Sequence, residues 1–388
     1  MRGRIWTCSP PVSASPTGAN YPRSSIPQHP PPEQGISFRP RACRPLRVGR
    51  FCHWTLRAPP GMVARASREG PMANRSMTGR AGGVCAVLLL LGGPVAALDL
   101  AVVTSQNAGK VTILDLQSGA ARSTLDVPGD PVSVAVDGRS ARAFVVAVKS
   151  RMLHVIGLDG REIMRHPLPG APFGIAYDPI SRHVFVTDWE GRAHEVDPAT
   201  GAVVRSFETG ANPSGIAVSE DGHLLAVTDR DSDALSLFDL GSGAVVERIP
   251  VGHHPFGVTL WEGRAYVADV LDNSVTVVDL GRRAVVGKVE TGERPYAVAF
   301  AAGRGFVTDQ YGGTLTVFDP ATLAVTGQVM VGDYPEGISV AADGHTLFVA
   351  NWLSDSVMRI NGQTLTVEQE IAMPSGPRAF GSFIADTN

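Results

Sequence analysis

Cysteine is confined to the first quarter of the chain. Cys8, Cys43, Cys52 and Cys85 are the whole set, and none follows residue 97. A domain built from the rest has no disulfide, no zinc–thiolate site and no cysteine nucleophile, so its core alone must hold it together. Residues 1–71 lack lysine and carry two acidic residues, Glu33 and Glu69. They are rich in Pro, Arg and Ser, show no period of 2 or 3.6, and cannot bury enough apolar surface to offset their ordering entropy. We expect residues 1–71 to be disordered, or an upstream extension of the reading frame with the working start at Met72 or Met77. A functional basic tail is the competing reading, but the arginines there are scattered and form no tight run. A bilayer-spanning run of about 20 apolar residues is missing as well. The apolar stretch Val84–Leu91 is shorter, follows Arg75 and Arg80, and precedes Val95-Ala96-Ala97. That order reads as a signal peptide over 72–97, cleaved before Leu98, with an uncleaved anchor as the alternative. The expected location is periplasmic or secreted, with no membrane span after cleavage.

The motifs of common chemistries are also missing. There is no Cys-x-x-Cys-His for covalent haem, no Gly-x-Ser-x-Gly elbow and no recognisable nucleophile–base pair. Positive charge is scarce where it would matter for nucleic acid. From Leu98 onward 21 Lys and Arg stand against 35 Asp and Glu, a net charge of −14. That balance excludes nucleic acid and anionic membrane as expected partners.

What is present is a repeat. Pro131, Pro172, Pro213, Pro255, Pro295, Pro335 and Pro377 follow one another at intervals of 41, 41, 42, 40, 40 and 42 residues, each a few residues after a glycine. The period beginning at Pro213 is representative. Ser214–Val218 alternates small and branched residues, and Ser219–Gly222 is a turn cluster. Leu224–Val227 is a second apolar run, Ala234–Phe238 a third and Ala244–Ile249 a fourth. Four short strands with turn signals between them, repeated about every 40 residues, predict propeller blades. No run has helical spacing of useful length. Small residues after each proline (Gly174, Gly215, Gly257, Ala297, Gly337) suit the crowded innermost strand, a packing role rather than a phosphate loop. Six full periods start at Pro131 and end before Pro377. Three strands precede them (Leu98–Thr104, Lys110–Asp115, Ala121–Val127) and one follows (Pro377–Ile384). Together these make a seventh blade shared by the two chain ends, which closes the ring and leaves no open edge. The expected class is therefore all-β, a seven-bladed propeller of four-stranded antiparallel blades over residues 98–388, likewise expected to be monomeric.

Phe185-Val-Thr-Asp188, Leu225-Ala-Val-Thr-Asp229, Tyr266-Val-Ala-Asp269, Phe306-Val-Thr-Asp309 and Phe348-Val-Ala-Asn351 resemble the Tyr-Val-Thr-Asn repeats of the YVTN family of seven-bladed β-propellers. Leu271–Asp279 is similar to that family's next strand, and the resemblance spans residues 98–388. It implies the architecture. It leaves function open among exported binding proteins, surface-layer proteins and relatives of redox-enzyme subunits. The blade from Pro131 departs from the pattern, since Phe144–Lys149 lacks the Asp or Asn.

The repeated acids Asp188, Asp229, Asp269, Asp309 and Asn351 could ring a cation. Occurring in five successive blades, they read more simply as strand-end residues that accept bonds from the backbone of the following loop. Asp229-Arg-Asp231-Ser-Asp233 resembles the start of a calcium loop but then fails, with Ala234 where Gly is required and Leu240 where a bidentate Glu belongs. No metal site is expected. Positions that break the repeat are better candidates for a site. Asp130, Asn212, His254, Arg294 and Tyr334 stand just before the prolines, and Arg378 just after the last. The loops after the second strands should rise on the same face, bringing Trp189, Arg230, Tyr311 and Trp352. The residues following the prolines (Val132, Phe173, Ser214, Phe256, Tyr296, Glu336) should join them around one channel mouth. There Arg294, Arg378 and His254 would meet an anionic group, and Trp189, Tyr334 and Trp352 would supply apolar area. A generic polar mouth is the plainer reading. The function expected is a non-enzymatic exported module that binds a protein partner or a small anionic ligand. No cofactor is expected, although a haem or quinone held by His254 stays open. The alternatives are a propeller associated with a redox enzyme (like an amine dehydrogenase subunit or a haem d1 domain), a lactonase-like enzyme, or a surface-layer component.

Overall fold

The computed structural model describes residues 100–385. The expected N-terminal extension and signal peptide lie outside the described residues. Twenty-eight strands, from β1 (Leu100–Ser105) to β28 (Ile384–Ala385), make seven four-stranded antiparallel sheets. The described residues contain no α-helix, and one short 3₁₀ turn at Arg230–Ser232.

Each sheet is one period of the repeat. In the period from Pro213 the strands are β12 (Pro213–Val218), β13 (Leu224–Asp229), β14 (Ala234–Asp239) and β15 (Val245–Pro250), hydrogen-bonded in that order from the axis outward. Burial follows position. The two middle strands are buried along nearly their whole length on both faces, whereas β15 alternates and turns Val245 to solvent. Neighbouring blades bury each other's faces: Leu235 and Leu237 of one blade pack with Ala265, Val267 and Val278 of the next. The blade from Pro131 is a regular four-stranded sheet despite its missing acid.

The innermost strands meet through backbone. A Cβ on Gly174, Gly215, Gly257 or Gly337 would run into a carbonyl oxygen of the next blade's innermost segment (Ser214, Phe256, Tyr296 and Ala379 respectively). The packing role of these small residues is therefore literal. Threonine hydroxyls bolt the same seam. Thr228 Oγ1 accepts from the N–H of Gly215 in its own blade and donates to the carbonyl of Phe256 in the next, at 2.7 and 2.6 Å. Thr187 and Thr308 repeat this at their seams.

Both chain ends build the seventh blade, in the order β28, β1, β2 (Lys110–Asp115), β3 (Ala121–Asp126). The closing segment is less regular than a strand over Pro377–Ile384. Only Ile384 and Ala385 form ladder pairs with β1, supported by single bridges from Ser105 to Pro377 and from Ser133 to Phe380. Gly381, at φ 112°, makes the irregular path possible.

Candidate functional site

The turns holding the prolines, here called anchor loops, join one blade's outer strand to the next blade's inner strand. They lie at one end of the axis, and the loops between second and third strands lie with them. The bonds are direct: Trp189 N–H donates to Ala171 O, Asp231 to Ala211 O, Gln310 to Arg294 O and Trp352 to Tyr334 O, at 2.9–3.1 Å. The expected shared face is thus present, and all ten candidate residues lie at that end of the molecule.

The repeated acids hold this face together. Asp188 Oδ1 accepts from the N–H of Ala171 at 2.7 Å, and Asp269 and Asp309 accept from Gly252 and Gly292 at 3.0 Å. The second oxygen of Asp269 takes the Thr276 hydroxyl, and that of Asp309 takes Thr314 and Thr316. The role is structural, as read from sequence; Asp188 also accepts from the N–H of Glu190 in the following loop at 3.0 Å, but the partner common to Asp188, Asp269 and Asp309 is the anchor loop before the blade. Burial raises Asp229 and Asp309, and pushes Asp269 up to about 6 against the opposing hydrogen bonds. The three acids of the calcium-like stretch diverge: Asp229 binds Ser236, Asp231 binds Arg230 and Asn212, and Asp233 receives the N–H of His254. Among the described residues no three His, Cys, Asp or Glu side chains are grouped to hold a metal ion.

Residues directly before the prolines share an unusual backbone. Asp130, Asn212, His254, Arg294 and Tyr334 have φ between 49° and 62°. Glycine, Asn and Asp tolerate this left-handed conformation best. His is tolerated there almost as readily as Asn and Asp, whereas Arg294 and Tyr334 are less usual occupants, although Arg151, Arg182 and Arg283 adopt the same conformation in other turns.

Two side-chain clusters result. In the first, Trp189 stacks on Phe173 at 4.8 Å and carries the Arg230 guanidinium 4.9 Å above its ring. Asp231 receives Arg230 Nε at 2.9 Å and Asn212 Nδ2 at 2.5 Å, with His254 Nδ1 3.8 Å away. Burial, then nearby Arg230, lowers the His254 pKa below its ordinary value, which favours the neutral imidazole. In the second cluster Tyr334 lies 5.0 Å from Tyr311 and 6.0 Å from Trp352, and Arg294 lies 5.6 Å from the Tyr311 ring. Burial, then Tyr311, pushes the Tyr334 phenol up to about 12. Tyr311 is 53% exposed. The indole N–H groups of Trp189 and Trp352 are buried without a protein partner. Asp130 stands apart, its carbonyl taking the N–H of Val148.

The residues after the prolines do not ring an open mouth; they fill it. Phe173, Phe256, Tyr296 and Phe380 meet on the axis at centroid distances of 4.3–5.8 Å, with Val132 beside them. Position two of an innermost strand points at the axis, and large rings there touch across it. Arg378 sits at this plug. Its Nε is 2.6 Å from Glu336 Oε2, Nη2 donates to the Tyr296 hydroxyl and Nη1 to Gln106 Oε1, at 2.7 and 2.8 Å. Glu336 also receives Gln310 Nε2 at 2.6 Å. Arg378 is therefore committed to internal partners. Of the three groups expected to meet an anion, Arg294 is the one that is charged and without an ion pair among the described residues.

Sequence reading missed the open end of the channel. Beyond the plug the innermost strands are lined by Gly and Ala, and a cavity of about 680 Å³ runs from Phe380 to a rim at Tyr177, Trp261 and Phe300. A second cavity of about 590 Å³ adjoins it between the blades from Pro131 and Pro172. Neither is lined by any of the ten candidate residues. The signal available was the drop from Phe and Tyr at position two of these strands to Gly and Ala just beyond it.

No family model matches the chain, and no curated protein matches it. Solved structures do. A functionally unknown protein from Desulfotomaculum acetoxidans superimposes with a TM-score of 0.64 at 14% identity, covering 74% of this chain and 98% of that one. The dihydro-haem d1 dehydrogenase NirN, in complex with DHE, gives 0.59 at 14% identity over 72% and 74% of the two chains. Kuenenia stuttgartiensis hydrazine synthase gives 0.58 at 15% identity over 66% and 90%. At such identities the likeness carries the fold alone, and with the seven sheets above it establishes this chain as a seven-bladed β-propeller.

Proposed function

We propose that this propeller is an exported, non-enzymatic interaction module that docks a partner protein on its anchor-loop face. The observation that carries the reading is the set of His, Arg and Tyr side chains at left-handed anchor positions, grouped with Trp189, Arg230, Tyr311 and Trp352. Aromatic and arginine side chains on a rigid scaffold are the usual anchors of protein interfaces. The aromatic plug favours a protein over a small anionic ligand, because this end offers a surface rather than an entrance. Export rests on the signal-like residues 72–97. A redox-associated role remains the alternative. It draws on the names of two fold neighbours, the haem d1 dehydrogenase and hydrazine synthase.

The test compares proteins captured from the native host's periplasmic extract by three forms of the chain. Wild type should retain a partner that Arg294→Ala with Tyr311→Ala loses, while Arg139→Ala with Arg182→Ala, at the other end of the axis, keeps it. Equal capture by all three forms would refute docking at this face. A visible absorption band in the native protein would favour the redox role.

A further inference from the structure

The end of the channel opposite the anchor loops is chemically unlike the rest of the molecule. Its walls are half-buried or buried Ala135, Ala176, Ala217 and Ala297, with Gly215 and Gly257. These are small because backbones crowd there, and they leave the axis empty below the plug. Four strand steps separate Gly257 from Trp261, so the funnel is up to about 13 Å deep at ~3.3 Å per residue. Trp261 and Phe300 stack at 4.3 Å and 6° on one side of the rim, and Tyr177 stacks on Phe144 at 5.0 Å on the other. A volume of about 680 Å³ lies within the roughly 300–1,000 Å³ usual for ligand pockets.

Charge is concentrated at one side of that rim. The adjoining cavity shares Asp137, Arg139, Tyr177 and Pro179 with the funnel, and adds Arg142 and Arg182. Arg139 and Arg182 are exposed and Arg142 is half-buried. Among the described residues none of the three forms an ion pair, and none of their guanidinium groups makes a hydrogen bond. Two carboxylates face the same cavity, but both already accept hydrogen bonds from the protein. Asp137 receives the Tyr177 hydroxyl at 2.8 Å and the Ser140 hydroxyl, and Asp197 receives Ala199 N–H and the Thr200 hydroxyl, each at 2.8 Å. His183 there is bound to Glu195 at 2.7 Å. Three guanidinium groups against two carboxylates give this cavity a small excess of positive charge in a domain whose net charge is −14.

We infer that this end of the channel binds an amphipathic anion, its apolar tail in the Ala- and Gly-lined funnel and its carboxylate or phosphate head at Arg139, Arg142 and Arg182. The tail displaces water from the apolar part of a wall that also carries polar groups such as Thr259 and Ser339, and the head finds donors whose fork geometry suits both oxyanions. The plug at Phe380 sets the depth. The site lies at the far end of the axis from the anchor-loop face and does not depend on the docking reading.

Calorimetric titration with dodecanoate, dodecyl phosphate, dodecanol and inorganic phosphate, each alkyl probe below its micelle concentration, tests it. The two amphipathic anions should bind wild type more tightly than dodecanol or inorganic phosphate. The preference between them separates a fatty-acid-like from a phospholipid-like ligand. Arg139→Ala with Arg182→Ala, both at exposed positions, should weaken anion binding about tenfold or more and leave dodecanol unchanged. Ala217→Trp, which fills the funnel, should abolish binding of every alkyl probe; if that variant fails to fold, the arginine variant decides. Equal affinity for dodecanol and the anions, or anion binding unaffected by the arginine changes, would overturn the head-group assignment. Inorganic phosphate binding as tightly as dodecyl phosphate would overturn the tail assignment. Absence of binding by any alkyl probe would overturn the site.

Discussion

Replacing Asp269 by Asn should stabilise the propeller at neutral pH and do little in acid. Asp269 is fully buried, and its carboxylate is held by Gly252 N–H and the Thr276 hydroxyl. Burial raises its pKa from 3.8 to about 6 in the fold. A folded value above the unfolded one means that the folded state keeps the proton longer. Stability from this group is thus complete below about pH 4 and is lost as pH climbs to about 6. A shift of about 2 units corresponds to a cost of about 3 kcal/mol once both states are ionised. The amide escapes that cost: its oxygen can still accept from Gly252, and its NH₂ can donate to Thr276. The chain supplies a partial precedent: Asn351 occupies the equivalent position and its NH₂ donates to Ser356 Oγ at 3.3 Å, while its oxygen has no protein partner. Urea denaturation of wild type and Asp269→Asn at about pH 4 and about pH 7.5 measures the effect. The variant's advantage should grow by about 2–3 kcal/mol from the lower pH to the higher. An advantage that stays constant or shrinks would refute the reasoning.

Other variants probe the axis and the ring. Glu336→Ala strands Arg378 in the plug and should cost about 3 kcal/mol in a denaturation experiment, whereas Glu336→Leu with Arg378→Met should cost less than the single change. If the double variant is the worse of the two, the pair is not an enclosed one. Gly215→Ala forces a methyl group against the Phe256 carbonyl, so it should lower the melting midpoint by several degrees, about 2 kcal/mol; an unchanged midpoint would show that the seam is slack. Deleting residues 377–388 removes the closing segment and exposes the edge of β1, and light scattering should then detect aggregation. A soluble truncated protein with a wild-type melt would contradict closure.

Much of the architecture could be read from the sequence because the repeat is a spacing property. The prolines count the blades, and the runs at Leu98, Lys110 and Ala121 left a vacancy that only the C-terminal segment could fill. The partner of the repeated acids was less legible. Asp269 reaches back to Gly252 across a turn whose path depends on the crossing between blades, which no local pattern records. The plug was hidden for another reason. Phe173, Phe256 and Tyr296 are each unremarkable at a strand start, and Phe380 enters from an irregular segment, so their meeting is a property of the closed ring. The funnel is subtler still, since alanines and glycines from six blades signal packing one by one and a cavity only together. Arg139, Arg142 and Arg182 share a cavity although they lie on separate turns. The candidate face itself was legible because loops that break a repeat stand out against it.

Photo-crosslinking in the native host tests the central claim most directly. A benzophenone amino acid at position 311, on the exposed edge of the anchor-loop face, should capture a discrete protein partner; the same group at position 180, beside the far rim, should not. A partner captured from position 180 and not from position 311, or an identical pattern from both, would contradict docking at the anchor-loop face.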